Sequence, residues 1–319
     1  MYEKGKVSIC VPTYNRPKLI CELLDSILAQ TYKNFKVIIT DNSDNTSTKE
    51  LIESKYKDRR IRYLKNEKNL GMDGNTLKSL SYVDGEYFTF TPDDDIWIDS
   101  KKLEKQVSIL DQNRDLNCCF SNALHVNFDG SKHITQFSTG WGDNLLCRVT
   151  DSSSFLLTNK PKEFVCILTA LIRSDLLQIF QESWEYGSEE YFMWYIGGTG
   201  QKIGFCGQNL IAIRDSVHNW QISDGHGGLV NYKFDNQRRA RQLIEIYSNL
   251  IKNYPDELKL FGSNTERKIL ILLIEHVGFQ AFSYKNQLPK IGHISYAIYY
   301  IYAYQYLIKR RFLQWKKFQ

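Results

Sequence analysis

Three consecutive carboxylates, Asp93, Asp94 and Asp95, stand between a strand-like run, Tyr87-Phe-Thr-Phe90, and the apolar pair Ile96-Trp97. Like charges side by side repel, so such a cluster is unfavourable unless something positive relieves it. Hard oxygen ligands of this kind suit Mg²⁺ or Mn²⁺, and those ions also hold phosphates. The bland alternative is an acidic turn in solvent. Asp41 offers a second chemistry: it ends the run Phe35-Lys-Val-Ile-Ile-Thr40, and its carboxylate can accept the imide N–H of a uracil or thymine ring. A third candidate is the pair Glu189-Glu190 in Gly187-Ser-Glu-Glu-Tyr-Phe-Met-Trp194. A carboxylate there can take the proton of an attacking hydroxyl as a bond forms. Equally, Ser188 can cap a short helix whose first turn holds both acids, with Phe192 and Trp194 in the core.

Strand ends are what would hold these groups. Residues 6–11 read as a first strand, broken by Pro12-Thr-Tyr-Asn-Arg-Pro17, and the Leu/Ile spacing over 18–30 predicts a helix. Residues 35–40 predict a second strand that ends at Asp41-Asn-Ser-Asp-Asn45, with Ser47 or Thr48 capping a helix to about Lys57. A third strand covers 61–64, a turn 69–75, a helix 76–83, and then comes the acid-tipped strand; 203–213 reads as the last strand of the domain. This alternation predicts an α/β fold: a Rossmann-like, doubly wound, mainly parallel sheet flanked by helices. Ligands of such sheets gather at the carboxyl ends of the strands, where the stretches at 12–15, 41, 69–75 and 93–95 all fall. No GxGxxG follows the first strand and no GxxxxGK[ST] occurs, which disfavours a dinucleotide cradle and a P-loop.

With 319 residues, 42% hydrophobic and 24% charged, the chain has room for one large α/β domain and a smaller appendage. The seven cysteines show no CxxC spacing, which argues against a disulfide framework or zinc site and for a reducing cytoplasm. The first residues run straight into a strand pattern, so no signal peptide is expected. Of 41 basic residues, six lie in 290–319, which holds no acid; the remaining 35 face 36 acids. The basic excess is therefore local, which excludes a nucleic-acid-binding body. From about 231 the pattern turns helical (232–253, 265–284, 291–315), with Pro255 and Pro289 between the segments. Residues 291–308 are too short and tyrosine-rich a stretch to span a bilayer. With the basic residues beyond, 291–319 reads as a membrane-surface segment, or as a helix packed on the protein or on a second subunit. The division expected is 1–222 for the catalytic domain and 223–319 for the helical region.

The stretches Val11-Pro-Thr-Tyr-Asn-Arg16, Ile38-Ile-Thr-Asp-Asn-Ser43, Asn69-Leu-Gly71 with Asn75, and Gly85-Glu-Tyr87 leading to Asp93-Asp-Asp-Ile-Trp97 together resemble, in order and spacing, the inverting family 2 glycosyltransferases with a GT-A fold. The resemblance covers roughly residues 6–115 and continues more weakly to about 220. It looks closest to the branch that builds bacterial surface polysaccharides, including abequosyltransferase-like members. It implies that Pro12, Thr13 and Tyr14 line the base and ribose pocket, with Arg16 in the same nucleotide-binding motif. It further implies that Asp41 reads a pyrimidine and that Asn69, with Gly71 and Asn75, closes over the nucleotide. The acids then supply the family's Asp-x-Asp function, with one departure. Aligned on Ile96-Trp97, the first Asp of the common pattern falls on Pro92. Asp94 is then the first choice as ligand of Mn²⁺ or Mg²⁺, Asp95 the second and Asp93 the third, with Asp93 or Asp95 toward the ribose or the sugar.

The family places its base in a Glu-Asp pair before aromatic residues, which implies Glu190, or else Glu189, although the second member here is Glu. His218, after the last strand, is the candidate third metal contact or else structural; His226 is the next. The segment 223–228 around His226 can instead be a glycine-hinged lid. Arg214 faces the diphosphate or caps its strand. The implied function is metal-dependent, inverting transfer of a sugar from a nucleoside diphosphate, UDP above others, to a glycan or lipid-linked acceptor of capsule, O-antigen or wall polysaccharide. It would take place in the cytoplasm or at the inner membrane face. The rivals are a pyrophosphorylase-type nucleotidyltransferase, whose usual glycine-rich loop is missing after strand one, and a non-catalytic nucleotide-sugar-binding subunit.

Overall fold

In the computed structural model, Val7 to Val11 are buried without interruption, as a central strand covered on both faces requires. The structure describes residues 2–127, 135–137, 148–151, 166–185, 191–192, 195–196, 202–215, 221–223, 229–231 and 253. Glu189, Glu190, His218 and His226 lie outside the described residues, as does the stretch from 232 onward that the sequence pattern predicts as helical, apart from Asn253. Two compact units divide the chain, Met1–Asn231 and Tyr232–Gln319.

The first unit opens with β1 (Glu3–Thr13), α1 (Pro17–Leu28), β2 (Phe35–Asp41), α2 (Ser47–Lys55), β3 (Ile61–Lys65), α3 (Gly71–Leu80) and β4 (Gly85–Phe90). After the acids come β5 (Ile96–Trp97), α4 (Lys102–Gln112), β6 (Leu116–Asn127), β7 (Thr135–Phe137) and β8 (Arg148–Asp151). Then follow β9 (Leu171–Arg173), α5 (Leu177–Glu185), β10 (Lys202–Asp215) and a hairpin of β11 (Gln221–Ser223) with β12 (Leu229–Asn231). The main sheet runs β3-β2-β1-β4-β9-β6-β10-β5. The ladders β2–β3, β1–β2, β1–β4 and β6–β10 are parallel. The short strands β5, β7, β8 and β9 pair antiparallel with their neighbours. Among the described residues no helix is long and apolar enough to cross a membrane.

Each helix of the first half follows from its apolar spacing. Pro17 opens α1, where its fixed φ suits the first turn, and Ile20, Leu23, Leu24 and Ile27 make one buried face. Burying each of these side chains is worth about 2 kcal/mol. The expected strands appear, β1 extended at both ends. Two expectations need correction. Helix α2 is entered at Thr46, not Ser47 or Thr48, and the Thr46 hydroxyl bonds the Glu50 carboxylate rather than the helix backbone. Helix α3 begins at Gly71, inside the stretch expected to be a turn, because side chains satisfy its entry: Asn69 accepts the Gly71 N–H (2.8 Å) and Asn42 the Leu70 N–H (3.1 Å). Gly71 has φ +73°, a left-handed conformation that favours glycine.

Two close fits hold the sheet together. A methyl group on Gly85 would stand 2.4 Å from the Lys6 carbonyl oxygen, so the start of β4 admits only glycine beside β1. Arg173, buried on β9, donates to the carbonyls of Leu116 and Leu110, to Glu86 and to the Tyr87 hydroxyl. It ties β9 to β4, to the end of α4 and to the start of β6. On α4, Lys102 is wholly buried; its ammonium donates to Gln106 Oε1 (2.7 Å) and lies 4.6 Å from the centre of the Trp97 ring. Burial pushes its pKa down to about 7.

Candidate active site

Parallel pairing sets Thr13 beside Asp41, so β1 and β2 end together, while Cys10 pairs with Phe90 and β4 stops just short of them. The turn after β1 reaches across to the acids after β4. The Thr13 hydroxyl donates to Asp93 Oδ2 at 2.6 Å, and the Tyr14 N–H lies 3.4 Å from the same oxygen. One nitrogen of Arg16, Nη1, bridges two carboxylates, 3.0 Å from Asp93 Oδ1 and 2.7 Å from Asp94 Oδ2. Arg16 occupies the N-cap position of α1 but makes no side-chain cap there, which leaves its guanidinium to the acids. From the other side, Arg214 near the end of β10 donates to the Asp94 carbonyl (3.1 Å) and to the Glu22 carboxylate.

The three acids sit in unlike surroundings. Asp93 is buried, and that burial pushes its pKa up to about 6 against the pull of Arg16 and Thr13. Burial also raises Asp95 well above the usual range, with the Asp94 charge adding to it. Asp95 Oδ2 is buried without a hydrogen-bond partner. An orphaned, desolvated carboxylate oxygen next to the more open Asp94 is the chemistry a hard cation satisfies. Among the described residues no group of three or more His, Cys, Asp and Glu side chains is arranged to hold a metal ion. A two-carboxylate site fits Mg²⁺-type binding, in which substrate phosphates and water supply the remaining ligands.

Asp41 is fully enclosed. Its Oδ1 accepts the Ser43 N–H (2.7 Å) and the Ser43 hydroxyl; its Oδ2 accepts the Tyr63 hydroxyl, with Lys65 Nζ 3.9 Å away. Lys65 also donates to the Ser43 carbonyl. Below it runs a chain of asparagines. Asn66 donates to Asn42 and to Asn75 (2.6 and 2.8 Å), and Asn42 donates to the Gly71 carbonyl (2.8 Å). Asn75 donates to the carbonyls of Thr13 and Thr40 (3.2 and 3.0 Å). Asn75 is therefore a buried joint between β1, β2 and α3.

The structure thus gathers Thr13, Tyr14, Arg16, Asp93 and Asp94 through direct contacts, with Asp95 and Arg214 alongside. It joins Asp41, Gly71 and Asn75 through Ser43, Asn42 and Asn66. Pro12 lies in β1 just before this turn. The Tyr14 ring is exposed, with its hydroxyl 3.2 Å from Asp44. Ser43, Tyr63, Lys65 and Asn66 were not singled out from sequence. Their signal is the β2–β3 register, which sets Lys65 opposite Asp41. Beyond α5, Tyr191 and Phe192 are buried, Phe192 edge-on to Phe180 (5.0 Å) and Phe180 edge-on to Phe88 of β4 (5.2 Å). Trp184 packs on Phe90 (4.8 Å), so α5 runs toward the acidic end of β4.

A curled, mainly parallel α/β sheet with polar strand ends around an acidic loop is the GT-A architecture. The family model for glycosyl transferase family 2 matches residues 8–178, more than half of the chain, and the chain belongs to that family. An uncharacterized glycosyltransferase, MJ1057, from Methanocaldococcus jannaschii is 37% identical over 132 residues, 40% of this chain and 45% of the relative. The Escherichia coli UDP-Glc:alpha-D-GlcNAc-diphosphoundecaprenol beta-1,3-glucosyltransferase WfgD is 39% identical over 123 residues, 38% of this chain and 47% of the relative. The chain thus spans less than half the length of these curated relatives. Among solved structures, S. aureus TarS 1–349 in complex with UDP-GlcNAc superposes with a TM-score of 0.60 at 16% identity, covering 93% of this chain and 79% of that one. That likeness is one of fold.

Proposed function

We propose that this chain is a metal-dependent, inverting glycosyltransferase that moves a sugar from a nucleoside diphosphate donor, UDP-linked above others, to a glycan or lipid-linked acceptor. The observation that carries this reading is the closure of the β1 turn onto the acids of β4 through Thr13, Tyr14 and Arg16. It creates one polar rim on which a nucleotide's ribose and phosphates can lie. Thr13, Tyr14 and Asp93 then hold the ribose side, with Pro12 behind them. Asp41, with Asn69, Gly71 and Asn75 shaping the wall beside it, reads the base. Asp41 already accepts from Ser43 and Tyr63, so a pyrimidine N–H reaches it through a remaining lone pair or by moving the Tyr63 hydroxyl aside.

Asp94 and Asp95 would hold Mn²⁺ or Mg²⁺, with His218 as a third ligand; the ion's chemistry is to offset charge on the leaving diphosphate. Glu190, or Glu189, takes the acceptor's proton on the opposite face of the sugar. The packing of α5 along β4 toward the acids supports this assignment, since the pair follows α5 within a few residues. The name of the Escherichia coli relative, a glucosyltransferase acting on a diphosphoundecaprenol-linked sugar, supports a lipid-linked acceptor; a surface glycan of capsule, O-antigen or wall, and the abequosyltransferase-like branch, belong to the same reading. Residues 1–222 would then be the catalytic domain and 223–319 a region that contacts the inner membrane face or a second subunit.

A screen of nucleotide sugars, read by thermal shift and by hydrolysis with and without Mn²⁺, tests the donor. Stabilisation by one UDP-sugar only with Mn²⁺ is expected. Release of pyrophosphate from UTP and a sugar phosphate would instead identify a nucleotidyltransferase. Glu190→Gln is expected to bind UDP and Mn²⁺ as the wild type does and to turn over about 10²- to 10⁴-fold more slowly. Unchanged turnover would remove Glu190 from the chemistry.

A further inference from the structure

Two arginines serve the acidic loop, and they are held very differently. Arg214 is buried, pinned between the Glu22 carboxylate and the Asp94 carbonyl. Arg16 has 43% of its side chain exposed, and the guanidinium's hydrogen bonds among the described residues are the two to Asp93 and Asp94. Both bonds come from a single nitrogen. One positive atom within 3.0 Å of two carboxylates has the placement of a bridging cation, not that of the two-pronged pair an arginine makes with one acid. Beside it, Asp95 Oδ2 is buried and has no donor. Helix α1 does not need the guanidinium: its first turn is closed by the Arg16 carbonyl, which accepts the Ile20 N–H.

We propose that Arg16 is the internal stand-in for the divalent ion: it neutralises Asp93 and Asp94 in the donor-free protein, then passes to the donor's diphosphate when metal and nucleotide enter together. The inference rests on the donor reading above. Its physical basis is competition. A divalent ion on Asp94 and the Arg16 guanidinium repel each other at contact distance, so the two cannot share that carboxylate. A diphosphate offers the guanidinium the paired oxygens that the carboxylates, approached through one nitrogen, do not. Metal alone must displace Arg16 with nothing to receive it. Metal with a diphosphate displaces it onto a better partner. The two ligands are therefore coupled through this side chain, each raising the other's affinity.

The test is Mn²⁺ titration, followed by the electron paramagnetic resonance of the free ion, into full-length wild type and Arg16→Gln, each with and without UDP. Without UDP, Arg16→Gln is expected to bind Mn²⁺ about tenfold tighter than wild type. With Mn²⁺ present it is expected to hold UDP several-fold more weakly, so that the mutual enhancement of the two ligands falls by about tenfold. Arg16→Lys keeps the charge and loses the fork; it is expected to gain Mn²⁺ affinity by about threefold and serves where Arg16→Gln fails to fold.

If wild type binds Mn²⁺ in the presence of UDP but neither variant gains affinity in its absence, the stand-in role is overturned and the donor reading survives. If wild type binds UDP equally with or without Mn²⁺ and Arg16→Gln loses it, Arg16 replaces the metal permanently, which overturns both the exchange and the metal dependence. If wild type binds no UDP under any condition, the donor reading falls and takes the proposal with it.

Discussion

At the scale of single residues, the buried acids and one buried amine make stability depend on pH in opposite senses. Asp93 titrates at about 6 in the folded chain against an ordinary 3.8. The folded state therefore binds its proton more tightly than the unfolded state does. That contribution is full below about pH 4 and is lost as pH rises through 6, a change of about 3 kcal/mol. Asp93→Asn should flatten the decline; Asp95, shifted in the same direction, keeps part of it. Urea denaturation at pH 4.5, 5.5 and 6.5 reads the difference, and identical slopes would show that Asp93 is not desolvated. Lys102 works the other way. Its folded pKa near 7 lies below the ordinary 10.5, so stability rises with pH between those values. Lys102→Met should abolish the gain seen between pH 7 and 9. Neither residue's environment can be read from the chain. Lys102 looks like a solvated helix residue until Trp97 and Gln106 close over it, and the Arg16–Asp93 contact joins positions 77 apart.

At the scale of elements, the asparagines fix where the polar strand ends meet. Asn75→Ala removes three hydrogen bonds, to Thr13, Thr40 and Asn66, and should destabilise the chain by about 3 kcal/mol. Donor affinity should fall with it, because the β1 turn loses its anchor; a melting temperature within a degree of wild type would refute that role. Gly85→Ala forces a methyl group onto the Lys6 carbonyl and should cost about 2 kcal/mol or more. The short apolar runs of β1, β2 and β4 are legible because each gives way to a break signal, Pro12, Asp41 or Pro92, although β1 runs on through Pro12 to Thr13 and β2 takes in Asp41. The start of α3 is not, since Gly71 and Gly74 read as turn signals and only side chains from the loops after β2 and β3, Asn42 and Asn69, supply the missing acceptors. Strand β9 is equally hidden. Three residues have no period to detect, and what makes Leu171–Arg173 a strand is the gap between β4 and β6.

At the scale of the whole molecule, the charge balance separates a near-neutral body from a basic final stretch. If residues 291–319 meet a membrane surface, the full chain should sediment with vesicles containing anionic lipid and release them as salt rises, while a chain ending at Asn231 should stay in solution. Equal recovery of both from such vesicles would assign the basic stretch to protein contacts instead. The first unit has a divide of its own. Strand β9 meets β4 through Tyr87–Arg173 and Phe88–Ile172, and β6 through Cys118–Ile172 and Cys119–Leu171, far fewer pairs than the ladders to either side. Within the sheet, the half bearing the β1, β2 and β4 termini is thus joined to the remainder through β9, and side chains supply further ties: Arg173, Arg214 on Glu22, and the Phe88–Phe180 and Phe90–Trp184 ring contacts. A chimaera that keeps the first half and grafts a foreign second half would therefore have to reproduce those side-chain contacts as well as the β9 pairs, so matching strand register alone does not license the exchange.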